Sequence, residues 1–357
     1  MKRCFMLAKY NVQLHAPYER EPNDSYICHR TAQAWEISRL MSDAYAKGHI
    51  VLAMGDFNML PLSLAHKIIE THGRAKDVWR INHPESSIGA AVDEVEKLRG
   101  KPVPSANYNL AANGTTCDSV LNTWRWNKPE QKRLARGESI VVDAKTNDPR
   151  AKRLDYVFLG DALDDTRVTD VRVGMTQRHP KLQCSLSDHF SVEATIEHGS
   201  FSLDGKPNAH RHMGQSGGQI DDTTHYLPAE TYDSILNMIH KYVGRQRRQR
   251  RLRMGHFFAE MGIAIGCLVA VWWSPRNFVS FILMLLSTLG FAAGVLDGLI
   301  GGFFVSSELR ALKEFEWEIR NARAAALETK PDAIEGEGET NDTMLPGTVI
   351  DKGSIDV

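Results

Sequence analysis

Little in this sequence points to a secreted or metal-stapled protein. Its five cysteines (Cys4, Cys28, Cys117, Cys184, Cys267) are odd in number, scattered and never in C-x-x-C spacing. That argues against a disulfide framework and structural zinc, and suits a reducing compartment. An excess of one charge is missing too. The net charge is −1, so no global field draws the chain to nucleic acid. Residues 1–197 lack a basic groove signature. No signal-peptide pattern opens the chain, because Met1-Lys2-Arg3 precedes only a short apolar run. Its 357 residues suggest about two domain-sized units.

What is present clusters at predicted strand ends. Val51-Leu52-Ala53-Met54 leads into Gly55-Asp56-Phe57-Asn58. Leu186-Ser187-Asp188-His189-Phe190 precedes the β-branched run from Ser191 to Ile196. A third strand signal, Arg153-Leu154-Asp155-Tyr156-Val157-Phe158-Leu159, adds a carboxylate placed to orient an imidazole. Metal-assisted phosphodiester cleavage needs such a set: carboxylates for a divalent cation and water, a carboxamide for a phosphate oxygen, an imidazole for the proton. Alone, Asp56 and Asn58 would read as a strand-to-helix turn; the ordered trio favours the site.

Between the motifs, residues 27–46 predict a helix with Trp35, Ile37, Leu40, Met41 and Ala44 on one face. Gly48 ends it, and His49–Met54 starts a buried strand, giving a strand-helix-strand crossover. Pro61 and Ser63 open a second helix through about Thr71. Residues 82–150 are polar, rich in Asn, Pro and Gly, and too long for an idle connection, which predicts an active-site insertion.

The trio resembles the endonuclease/exonuclease/phosphatase superfamily, where GD-x-N, R-[LI]-D-Y and S-D-H occur in this order. Leu14-His15-Ala16-Pro17-Tyr18, His29 to Glu36, and Asn113-Gly114-Thr115-Thr116-Cys117-Asp118 with Asn122-Thr123-Trp124 narrow the resemblance. They look like the neutral sphingomyelinases and their fungal counterparts, the inositol phosphosphingolipid phospholipases C. The match covers roughly residues 7–197. It implies a four-layer α/β sandwich, two β-sheets flanked by helices and incomplete at the N-terminus, and magnesium-dependent hydrolysis of a sphingolipid phosphodiester. By the resemblance, Asp56 positions water and Asn58 binds a phosphate oxygen. Asp188 helps hold Mg2+, and His189, oriented by Asp155, handles the proton. It also suggests a substrate-loop role for Asn113 to Asp118, which could equally be a surface turn.

Two departures stand out near the start. The family's early Asn and metal-binding Glu find no counterpart before Leu14. The family's Thr-His-Leu-His-Ala reads Val12-Gln13-Leu14-His15-Ala16 here, so Gln13 replaces the catalytic histidine and cannot be protonated. Together they predict poor turnover by this chain, as a truncated or misassembled gene product or a pseudoenzyme. His15, His29 and Trp35 are expected to be structural. A nuclease or phosphoinositide phosphatase of the same fold remains a rival.

The C-terminal third predicts membrane attachment. Residues 255–273 are apolar except His256 and Glu260, and residues 278–305 are broken by Asp297, a pair that reads as a transmembrane hairpin spanning 254–306. Glu260 is a conceivable partner for Asp297. Six arginines between Arg245 and Arg253 place the catalytic domain on the cytosolic face and predict contact with anionic lipid. Residues 198–230 read as a flexible linker. Residues 231–253 read as a basic juxtamembrane segment whose Tyr232, Ile235, Leu236, Ile239 and Tyr242 could lie along the membrane interface. Residues 307–357 read as a cytosolic helix with a disordered acidic tail.

Overall fold

The computed structural model describes residues 6–17, 24, 26–138, 140–163, 165–199 and 225–328. Most of the expected linker and the acidic tail from residue 329 onward lie outside the described residues. The strands are β1 (Leu7–Gln13), β2 (Ile50–Asp56), β3 (Lys76–Asp77), β4 (Asp155–Asp161), β5 (Thr166–Gly174) and β6 (Ser191–His198). The helices longer than eight residues are α1 (Ile27–Ala46), α2 (Leu64–His72), α3 (Ala229–Val271), α4 (Asn277–Leu299) and α5 (Val305–Glu328).

One sheet has the order β1-β2-β4-β3, with β1 and β2 parallel through the α1 crossover and β4 antiparallel to β2. A second sheet is the β5-β6 hairpin. Side chains alternate across a strand, and both faces of the first sheet are covered. Val51, Ala53, Tyr156 and Phe158 point into the helical side. Ile50, Leu52, Met54, Val157 and Leu159 point at Val168, Val171, Val173, Val192, Ala194 and Ile196 of the hairpin. Two buried faces explain why β2 and β4 read as unbroken apolar runs. The result is α/β, two sheets face to face with helices outside the first.

The helical side differs from the sequence reading, first at α1. On α1 the buried face runs through Cys28, Thr31, Ala34, Trp35, Ser38 and Met41, whereas Leu40 is exposed. That face is covered by chain from the C-terminal third. Tyr232, Ile235, Leu236, Ile239 and Tyr242 of α3 are buried with Leu312, Phe315, Ile319, Ala322 and Ala326 of α5 in the same core as Trp35 and Met41. The α3 stripe expected at a membrane interface is therefore occupied by the protein itself. Polar bonds pin the contact: Trp35 Nε1 donates to Glu318 Oε2 at 2.6 Å, and Arg323 Nε to Asp233 Oδ1 at 2.7 Å. His72 and the Tyr232 hydroxyl lie 2.6 Å apart. Burial pushes the His72 imidazole down to about 3, so it stays neutral.

Beyond this packed half, α3 runs on without a break for 43 residues, about 65 Å at 1.5 Å per residue. The return path, α4, a π-helical turn at Ile300–Phe304 and α5, is one continuous helix of 52 residues. The apolar halves lie side by side and are exposed, with Trp272 and Trp273 at the connecting turn. Both helices are long and apolar enough to cross a membrane. Asp297 pairs with Arg253 and with His256 Nδ1, the latter at 2.8 Å, rather than with Glu260.

If α5 is part of the domain core, Ile319→Ala should cost about 2–5 kcal/mol, the range for deleting a fully buried Ile side chain. Denaturant unfolding of the detergent-solubilised chain measures it. A loss below about 1 kcal/mol would mean that α5 merely rests on the domain.

Candidate active site

Strand register builds the site. Gln13 stands opposite Asp56, and Asp56 opposite Asp155, so three neighbouring strands deliver polar residues at one level of the sheet. Gly55 makes the delivery possible. Its φ of +138° and a position where a Cβ would fall 2.1 Å from the Val12 carbonyl oxygen leave room for hydrogen only. After Asp56 the chain turns sharply. Asn58 adopts φ +46°, its N–H donates to Asp56 Oδ1 at 2.9 Å, and its Nδ2 donates to both Leu14 O and Asp56 Oδ2 at 2.9 Å. Both amide hydrogens of Asn58 thus have acceptors within the chain, and Asn58 holds Asp56.

His189 closes the cluster from the second sheet, just ahead of β6. Its Nδ1 lies 2.8 Å from Asp155 Oδ2, and ligand atoms of Asp56, Asp155 and His189 all fall within 4.8 Å of one another. The Asp155 carboxylate, followed by the Cys117 sulfur, holds the His189 imidazole's proton against burial and pushes its pKa up to about 11. Asp56 moves upward as well. Burial and the Asp155 charge raise it, while the Asn58 N–H and His189 oppose the shift. Two carboxylates beside one imidazole offer hard oxygen donors suited to a divalent cation and a proton carrier held in one orientation.

Asp188 does not join this group. It is exposed, and its Oδ1 accepts from the Ser187 hydroxyl at 3.2 Å. His15 faces α1 instead: its backbone N–H donates to Gln33 Oε1 at 2.8 Å and its ring stacks on Tyr26 at 4.2 Å. His29 lies 3.2 Å from Glu308 and edge-on to Tyr242, against the long helices. Gln13 is exposed beside Asp56.

The long polar segment is an ordered wall of the site. Thr116, fully buried, joins its two limbs: Oγ1 accepts from the N–H groups of Leu154 and Asp155, and its carbonyl accepts from Phe190 N–H at 2.8 Å. Asn122 Nδ2 donates to Ser187 O and Asp188 O, both at 3.0 Å, which fixes the loop that presents His189. Gly114, at φ +68°, lets the segment pass over Trp79, where a Cβ would come within 2.4 Å of the ring. Thr116 and Asn122 lie in the Asn-Gly-Thr-Thr-Cys and Asn-Thr-Trp motifs, but spacing alone could not reveal that they grip the backbone of Asp155 and His189. Beneath the site Arg153 makes two bonds to Asp77, at 2.9 and 2.7 Å, with both side chains fully buried. Burial alone would raise the Asp77 carboxyl, but Arg153 and His66 hold it well below the usual range.

No family model matches the chain. Among curated proteins, it is 33% identical over 319 residues to the inositol phosphosphingolipids phospholipase C of Schizosaccharomyces pombe, covering 89% of this chain and 66% of that protein. The Saccharomyces cerevisiae protein of the same name is 29% identical, with 88% of this chain and 60% of the relative covered. A putative neutral sphingomyelinase of Caenorhabditis elegans is 27% identical, with coverage of 87% and 61%. The chain therefore spans under two thirds of the length of these relatives. The Gly-Asp-Phe-Asn, Arg-Leu-Asp-Tyr and Ser-Asp-His motifs each bring a residue to one cluster, in a chain whose relatives over most of its length are inositol phosphosphingolipid phospholipases C and a neutral sphingomyelinase.

Proposed function

We propose that this protein hydrolyses the phosphodiester of a sphingolipid in the manner of a phospholipase C, releasing ceramide and a phosphorylated head group at a membrane surface. The observation that carries the reading is the convergence of Asp56, Asp155 and His189 at strand ends in a chain with these relatives. The fold we expect for it is the four-layer sandwich, a reading supported by the two facing sheets and the helices outside the first. Asp56 and Asp155 would supply the hard oxygens for Mg2+, and Asp188, which stands outside their cluster on the adjoining loop, is the further carboxylate we assign to it. When bound, the cation would neutralise the nonbridging oxygens of the phosphodiester.

The chain's own groups do the rest. Asp56, braced by Asn58, orients the attacking water. The Asn58 Nδ2 now bonded to Asp56 is the donor that would pass to a phosphate oxygen. His189, held by Asp155 with its proton on board, protonates the departing ceramide oxygen. The apolar helices span the bilayer as a hairpin, and the arginines from Arg245 to Arg253 put the catalytic domain on the cytosolic face against anionic headgroups.

Gln13 favours a second reading of the same site, as a weakened hydrolase. It faces Asp56 across the sheet where the family has a histidine, and a carboxamide cannot donate or accept a proton at neutral pH.

His189→Ala should lower release of the phosphorylated head group on the order of 10²–10⁴-fold, with the unfolding midpoint little changed. Gln13→His should raise turnover about tenfold or more on the weakened-hydrolase reading. Unchanged turnover in Gln13→His would remove that reading, and an active His189→Ala would remove the site.

In EDTA, NMR should find His189 protonated through neutral pH and titrating near pH 11. Its folded pKa lies above the ordinary 6.5, so the ion pair's contribution to stability is complete below about pH 6.5 and is lost as pH rises through about 11. Asp155→Asn should return the titration toward 6.5. A His189 already neutral at pH 8 in the parent chain would contradict its role as proton donor.

Alkaline carbonate should leave the full chain in the membrane pellet. Recovery in the supernatant would refute the hairpin.

A further inference from the structure

The path of α3 fixes which end of the first sheet lies toward its apolar half. α2 starts just past the Asp56 turn and ends at His72, so His72 stands at the end of the domain away from the catalytic cluster. Tyr232, near the start of α3, meets that residue. Further along α3, Tyr242 packs edge-on against His29. The His29 ring lies 5.7 Å from that of His15, just past the Gln13 that faces Asp56. α3 therefore crosses the domain toward its catalytic end and leaves there, unbroken, for its exposed apolar half. On the returning α5, Glu308 beside His29 precedes Glu318 beside Trp35, which gives the same direction. A bilayer crossed by this hairpin lies off the catalytic end of the domain.

At that end the loop joining β5 to β6 carries apolar side chains outward. It doubles back through the Arg178–Ser185 bridge, and Leu182 in its turn is 64% exposed. Leu186 is 43% exposed and directly precedes Ser187, whose hydroxyl accepts from the His189 N–H at 3.2 Å. Trp124 joins them from the polar segment, its Nε1 donating to Ser185 O at 3.1 Å while 59% of the residue stays exposed. Thr123 and Ser185 lock the two loops together, each N–H donating to the other's hydroxyl, at 3.1 and 2.8 Å. An indole at a protein surface ordinarily leaves its N–H edge in water. Here the polar edge is turned into the protein and the apolar ring faces out. These are rigidly mounted apolar groups beside the His189 loop, of the kind that marks an interaction surface.

We propose that Trp124, Leu182 and Leu186 form a second membrane contact, a rim beside His189 that enters the bilayer interface and holds the catalytic cluster at the level of the lipid phosphates. The occupant is the bilayer that the hairpin crosses, because the same end of the domain leads into both. Tryptophan is the side chain most at home at that level. The inference rests on the hairpin and phosphodiesterase readings above, and adds a contact that neither the apolar helices nor the arginines supply.

The test uses the full chain in phosphatidylcholine vesicles that contain lipid brominated near the glycerol end of its acyl chains. Trp124→Phe keeps an apolar ring, so the difference in emission between the parent chain and this variant reports one tryptophan among seven. Brominated lipid should quench that difference by half or more, and an unquenched difference would overturn the rim. Leu182→Glu and Leu186→Glu place a charge where the rim enters the bilayer. Each should lower turnover of a sphingolipid in the vesicles about tenfold and leave hydrolysis of a water-soluble, short-chain phosphodiester unchanged. An equal loss on both substrates would overturn the proposal, since the substitutions would then act on the His189 loop itself. If Trp124 is quenched while the parent chain hydrolyses neither substrate, the rim stands and the phosphodiesterase reading falls.

Discussion

Asp155 is the residue on which both limbs of the site close. It begins β4 directly opposite Asp56, and its Oδ2 meets His189 Nδ1 at 2.8 Å. Its backbone N–H, like that of Leu154, is held by the Thr116 hydroxyl. Moving it would disturb the carboxylate pair, the imidazole and the wall of the polar segment together. A hydrogen-bonded ion pair on two packed sheets gives a defined geometry, because the sheets set the separation and the bond sets the ring's orientation. The apolar layer between the sheets, with Val157 and Leu159 against Val171 and Ile196, is therefore part of the site's positioning.

The level beneath is polar and buried. Arg153 precedes Asp155 by two residues and spends its guanidinium on Asp77, which also bonds His66 at 3.1 Å and caps Trp79 N–H at 3.0 Å. Such a buried pair gains little over apolar packing, yet breaking it strands a charge at a cost of about 3–5 kcal/mol. Its use here is orientation. Arg153 also stacks on the Tyr156 ring, and the Tyr156 hydroxyl donates to Met59 O at 2.9 Å, just past Asn58. The turn carrying Asp56 and Asn58 is thereby tied to the strand carrying Asp155 from below as well as across the sheet.

Much of this was legible in the sequence, and the remainder depends on long-range contact. Local patterning gave β2, β4, α1 and the start of α2 at Ser63, because buried strands and capped helices mark themselves within a dozen residues. Asp56, Asp155 and His189 stand out in the sequence because each lies at the end of such a strand. Spacing showed that Tyr232, Ile235, Leu236, Ile239 and Tyr242 share one helical face, but not what covers it. The covering surface is α1 together with α5, each distant from the stripe along the chain. β5 leaves little mark in the sequence because its burial alternates weakly, with Val171 as its one buried residue. The motif marks Asn58 for a phosphate oxygen, while its bonds to Leu14 and Asp56 arise from strand register, which a motif does not encode.

The packing of α3 and α5 ties the two long apolar helices to the rest of the protein. A flexible tether would let the catalytic domain sample every orientation. Here each long helix has one half buried in the domain's core and the other half exposed and apolar, with no break in α3 between them. Trp35, Arg39 and Asp233 are bonded to α5 residues on the domain side, and Arg253 and His256 to Asp297 where the helices leave it. Removing the chain after Thr231 would uncover the Trp35 and Met41 face of α1, and so would damage the domain rather than release it intact. A helix bends only gently unless a proline or a bulge intervenes. The π-helical turn at Ile300–Phe304 lies between the two halves of the returning helix and is the natural place for whatever bending remains. The active site's height above the apolar region is then set by helix length, through the same packing that completes the core.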